Sequence, residues 1–140
     1  MLRCYILGVL IDWSREFGDY LDRLENQAEA GNERSGEMLD LINAQLGLLQ
    51  QLPGAPREET ASLRRVQQSR KHEIWRVSHP YVEGLAVRLI VWFPDDEPDT
   101  AVVALFAGEK ARIGDVFYNS VGTRADAAIE SWKYQTGEHS

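Results

Sequence analysis

The sequence is poor in the residues from which most catalytic and structural centres are built. It holds one cysteine, Cys4, so no internal disulfide can form. The apolar neighbours of that cysteine predict a buried thiol. Its three histidines, His72, His79 and His139, are scattered, and neither C-x-x-C nor H-E-x-x-H occurs. No metal site and no cofactor is therefore expected. A glycine-rich phosphate loop and a G-x-S-x-G elbow are missing too. The acidic turn Pro94 to Asp99 lacks the ligand spacing of a calcium loop. Apolar runs are short: Cys4 to Ile11 is well below the ~20 residues that a spanning helix needs. Asp12 and Trp13 follow it directly, which does not fit the small-residue cleavage pattern of a leader. The expectation is a cytoplasmic protein with no membrane contact. Positive charge is also scarce, at a net −7. This acidity speaks against a general, sequence-independent grip on nucleic acid, which depends on Lys and Arg neutralising phosphates, and leaves room for a local basic groove.

What the chain does hold fits one folded domain of 140 residues, 1–140. Four Trp, five Tyr and four Phe argue against disorder, because burying rings offsets the entropy of ordering the chain. The charge is segregated. Residues 1–52 carry four Lys/Arg against nine Asp/Glu, residues 57–76 carry six against three, and residues 77–140 five against ten. Only the middle segment can centre a basic groove.

Hydrophobic period divides the chain at Pro56. Met1 to Ile11 is apolar on both faces and predicts a buried strand. Ser14 is placed to cap a helix in which Trp13, Phe17, Tyr20, Leu21, Leu24 and Ala28 recur at three- and four-residue steps. Gly31-Asn32 breaks that pattern, and a second helix is expected over 35–51, stopped by Pro53-Gly54-Ala55-Pro56. The two form a helical hairpin over 14–52, followed by a linker at 53–60 and a sheet with a C-terminal helix over 61–135. Ala61 to Gln68 reads as a basic, weakly structured stretch. Strands are expected at 74–77, 85–93 and 100–106. Strict alternation in the middle one sets Val87, Leu89, Val91 and Phe93 against Ala86, Arg88, Ile90 and Trp92. Gly108 to Gly114 reads as a charged loop, and Thr123-x-x-Asp126 as the capping box of the last helix. Short connections predict an antiparallel meander. The fold class is α+β: a helical hairpin packed on one face of a short antiparallel sheet, with the other face open to a ligand.

The chemistry left to such a chain is that of its cations. Lys71, His72 and Arg76 lie on or before one strand, Arg88 in the middle of the next, and Lys110 and Arg112 after the third, with Tyr118 beyond. Arg88 is the most informative, since a lone cation inside LAVRLIVWF is costly to bury unless an anion meets it. That anion is either an internal acid, Glu73 or Asp115, or a bound phosphate. Trp75 and Trp92 read as core packing more readily than as base-stacking platforms. His79, ahead of Pro80 at a strand end, reads as a turn residue more readily than as a general base.

The runs Glu73-Ile74-Trp75-Arg76-Val77, Ala86-Val87-Arg88-Leu89-Ile90-Val91-Trp92-Phe93 and Val102-Val103-Ala104-Leu105-Phe106, then a lysine-bearing loop ahead of a helix, resemble the RelE/HigB-type toxins of bacterial toxin–antitoxin modules. The resemblance spans most of the chain, through short motifs. It implies a RelE-like fold and a metal-independent endoribonuclease that cuts messenger RNA, in many members on the ribosome, and is held in check by a cognate antitoxin protein. Carried over by position, it implies catalytic roles for Arg76, Arg88 and Lys110. Lys71, His79, Arg112 and Tyr118 then fall near the substrate. The chain departs from the family in its net acidity and in its loop Gly108-Glu109-Lys110-Ala111-Arg112, where consecutive cations are usual. The second expectation is accordingly a relative of the same fold that binds a protein target, such as gyrase, without catalysis.

Overall fold

The computed structural model describes residues 10–52, 54–66, 71–77, 85, 87–94 and 101–136, with the backbone alone at 101, 110–120 and 136. The first nine residues of the expected N-terminal strand, the acidic turn over 95–99 and His79 lie outside them. The elements run β1 (Leu10–Trp13), α1 (Arg15–Glu29), α2 (Glu33–Gln50), β2 (Leu63–Arg65), β3 (Ile74–Val77), β4 (Val87–Trp92), β5 (Ala101–Glu109) and α3 (Lys110–Thr136). The class is α+β, as the change of hydrophobic period predicts.

The sheet has the order β1-β5-β4-β3-β2. Strands β3 to β5 form the expected antiparallel meander, β2 extends it at one edge, and β1 lies parallel to β5 at the other. A parallel neighbour requires a crossover, and the helical hairpin supplies it. Ser14 caps α1, its hydroxyl accepting from the Phe17 amide at 3.1 Å. Asn32 caps α2 in the same way through the Ser35 amide at 3.1 Å, which starts that helix two residues before the expected position. Between them Gly31 adopts φ 101°, a left-handed turn that residues with a Cβ rarely tolerate.

The hairpin packs on one sheet face. Phe17, Leu24, Leu41, Ile42 and Leu49 meet Trp75, Val77, Leu89, Val91 and Val102 there. The opposite face is not open, as the sequence suggested, because α3 covers most of it: Val121, Ala125, Ala128 and Ile129 pack on Ile74, Ile90, Trp92, Val103, Leu105 and Phe106. Two sequence readings are corrected here. The stretch read as a charged loop is the end of β5 and the first turn of α3, and the Thr123–Asp126 box lies in the middle of α3. The apolar spacing through Ile113, Phe117 and Val121 continues into Ala125 and Ala128, so the helical period runs through both features. Trp13, assigned to the helical stripe, sits in β1 and stands edge-on to Phe17 at 6.0 Å. The stretch called weakly structured contains β2, too short at three residues to show a period.

A bulge sets the register of the centre. Ile90 pairs with Phe106 and Val91 with Ala104, which leaves Leu105 as the extra residue on β5. Its carbonyl accepts the Ser14 hydroxyl at 2.6 Å. One buried hydroxyl thus satisfies both a helix N-terminus and the bulge carbonyl. Ser14→Ala orphans both groups and is expected to cost about 2–3 kcal/mol, read as a lower midpoint in urea unfolding. A change below about 0.5 kcal/mol would show that water replaces the hydroxyl at both sites.

Candidate functional site

Register, more than sequence distance, gathers the cations. On β2 and β3, Arg64 stands directly opposite Arg76. On β3 and β4, Arg76 stands opposite Ile90, and Arg88 lies two residues along β4 from Ile90. Directly opposed residues have Cα atoms about 5 Å apart, and diagonal ones about 7–8 Å. Arg64, Arg76 and Arg88 therefore share the α3 side of the sheet as a row across three adjacent strands. Arg88 lies toward the end of that face where α3 begins, and Arg76 stands beside Ile90 at the border of the apolar seal.

The row is graded in exposure: Arg64 is exposed, whereas Arg76 and Arg88 are half-buried. The position opposite Arg88 on β5 is Gly108, which contributes no side chain beside the guanidinium. Burial, and after it the charge of Arg76, hold the Arg88 guanidinium below its ordinary pKa. Arginine remains charged all the same. Like charges opposed across a sheet are destabilising, and a half-buried pair more so. Of the two internal acids considered for Arg88, Glu73 is bound elsewhere, to Arg65 at 3.1 Å. Arg65 itself faces the other side of the sheet, its guanidinium 4.8 Å from the centre of the Trp75 ring.

Lys110 is the first residue of α3, directly after Glu109, which pairs with Val87. The backbone thus brings Lys110 to the Arg88 end of the face. It also opens the N-terminus of a 27-residue helix there, where free amides favour an anion. Arg112 lies in the first turn of α3 and Tyr118 two turns further on. Lys71 is exposed and falls at the opposite end of the sheet, beside His72. His72 is edge-on to Trp92 at 5.3 Å, with its Nε2 3.7 Å from the Glu130 carboxylate. Trp92 is buried beneath Trp132, whose indole N–H donates to Asp12 at 2.9 Å. Trp75 and Trp92 are both core residues.

Arg64 is the residue that sequence reading missed. Its neighbour Arg65 carries the same charge, and only the pairing of Leu63 with Val77 decides which of the two faces the site. Three guanidiniums and a helix N-terminus suit a polyanion with regularly spaced charges, phosphates above all. Among the described residues no group of His, Cys, Asp and Glu could hold a metal ion, and no helix is long and apolar enough to cross a membrane.

Because burial and the charge of Arg76 both disfavour the charged form of the Arg88 guanidinium, Arg88→Met is expected to change the melting temperature little or to raise it. A clear fall would identify Arg88 as half of a structural ion pair. Comparison with protein-family models, with curated proteins and with solved structures finds no match to this chain.

Proposed function

We propose that this chain is a RelE/HigB-like toxin, a metal-independent endoribonuclease that cleaves messenger RNA in the cytoplasm and is inhibited by a cognate antitoxin. The observation that carries the reading is the placement of Arg76 and Arg88 on one sheet face, with α3 starting beside them at Lys110.

In this reaction the ribose 2′-oxygen attacks the adjacent phosphorus. The bond from phosphorus to the 5′-oxygen breaks, a 2′,3′-cyclic phosphate forms, and the proton lost by the 2′-hydroxyl is balanced by one gained at the leaving 5′-oxygen. Negative charge builds on the non-bridging oxygens in the transition state. Preorganised cations in a partly dried site stabilise that charge more than they stabilise the ground state. Arg88, half-buried and beside Arg76, is assigned to the scissile phosphate. Arg76 shares that phosphate, and Arg64 takes its neighbour along the strand. Lys110 opens α3 beside that region, with Arg112 and Tyr118 further along the helix. His79, which follows β3 in the chain, is the side chain assigned to proton transfer.

A second reading rests on a different surface. The outer side of the hairpin exposes Asp19, Asp22, Glu25, Glu29, Glu33, Glu37 and Asp40. Such a surface suits a protein target, as in a non-catalytic relative of the same fold.

Inducing the chain in a bacterial host and mapping RNA 5′ ends separates the two. On the ribonuclease reading, growth stops and new ends accumulate. Arg88→Ala or Arg76→Ala then lowers cleavage by about 100-fold, the usual loss for one transition-state donor, while the protein stays folded. Growth arrest without new RNA ends would support the protein-target reading instead. The antitoxin complex is expected to weaken as salt screens the arginine face. Failure of the host's own extract to yield any small partner at low salt would contradict the toxin–antitoxin assignment.

A further inference from the structure

Helix α2 reaches through the hairpin side of the sheet to the strand ends that carry the arginine face. Gln45 is fully buried at the centre of an otherwise apolar helix face, between Leu41, Ile42 and Leu49. Its side-chain amide donates to the Val87 carbonyl at 3.0 Å. Burying an amide costs several kcal/mol unless it is hydrogen-bonded, and a methionine or leucine would fill the space without that cost. Eleven residues earlier on the same helix, Arg34 forms an ion pair with Glu109, whose side chain is only 10 % exposed. Val87 and Glu109 are cross-strand partners. The two contacts from α2 therefore hold both strands of one rung from the hairpin face of the sheet. On the chain, that rung is followed on one strand by Arg88 and on the other by Lys110.

We propose that Gln45 and the Arg34–Glu109 pair are positioning residues, a clamp by which α2 fixes where Arg88 and Lys110 stand. The role in catalysis rests on the ribonuclease reading above; the clamp itself does not. The rung lies at the first residue of β4 and the last of β5, where strands fray most readily. Without the clamp the core of the sheet stays intact, because Leu89, Ile90 and Val91 remain buried. What loosens is the geometry at Arg88 and at the start of α3. An error of about 1 Å in the placement of a charge-stabilising group is enough to cost about 100-fold in rate.

The test uses two variants of the full chain, Gln45→Met and Arg34→Met. Arg34 is more than half exposed, so the second variant folds even if the first is weakened. Amide hydrogen exchange is followed at residues 87–89 and 107–110 and compared with β3. Cleavage of a single-stranded RNA oligonucleotide is measured alongside. The clamp predicts faster exchange at 87–89 and 107–110 in both variants with β3 unchanged, and a kcat about 10- to 100-fold lower at similar KM. Unchanged exchange at those amides in both variants overturns the clamp, whatever happens to activity. Faster exchange in a protein whose wild type cleaves no RNA upholds the clamp and removes the ribonuclease reading. Faster exchange with undiminished kcat overturns the positioning role.

Discussion

The constraint on which the rest depends is that this five-stranded sheet is covered on both faces. The hairpin α1–α2 seals one side and α3 most of the other, so that nearly every strand residue of β3, β4 and β5 is withdrawn from water. A sheet buried in this way has little room for charge. Cations in its strands must either stay at an edge, as Arg65 does over Trp75, or collect where the cover ends. Arg76 stands at the border of the apolar seal and Arg88 toward the start of α3, and the chemistry proposed for this chain follows from that displacement.

Covering both faces also explains how an acidic chain acquires a cationic spot. Of the acidic charge, the balance of −5 over residues 1–52 belongs to the segment that holds the hairpin, on the far side of the sheet from the arginine row, and an equal balance lies in residues 77–140. At physiological ionic strength the fields of exposed charges fade over about 8 Å. The thickness of the packed hairpin exceeds this, since one helix with its side chains is about 10–12 Å across. The acids on the outer side of the hairpin are therefore too far from the arginine row to cancel its charge.

Much of the architecture was legible in the residues. The stripe of Phe17, Leu21 and Leu24 and that of Met38, Leu41, Ile42, Gln45 and Leu49 predict the two helices and their inner sides. The alternation in LAVRLIVWF predicts which residues of β4 share a face with Arg88. Other features depend on partners that no local pattern names. The side taken by Arg64 follows from the pairing of Leu63 with Val77. The bulge at Leu105 changes which β5 residues meet α3, and its carbonyl is satisfied by Ser14, far away in sequence. Gly108 and Gly114 imitate a loop, yet strand pairing extends through Glu109 and the helix begins at the next residue. Two glycines cost a helix or strand about 1 kcal/mol each, less than the pairing and burial gained around them. The spacing sets Gln45 on the core side of its helix, but its hydrogen bond to Val87 is visible only once α2 lies on the sheet.

The measurement that bears most directly on the arginine face is the salt dependence of binding to a single-stranded RNA oligonucleotide rendered uncleavable by 2′-deoxy substitution. Arg76 and Arg88 on one phosphate and Arg64 on its neighbour predict a plot of log affinity against log salt with a slope of about −1.4, since each phosphate neutralised on a single strand contributes about −0.7. Replacing Arg64 by methionine, or Arg76 and Arg88 together, should lower that slope by about one contact. A slope near zero, or one that neither substitution alters, would contradict the assignment of this face to a phosphate chain.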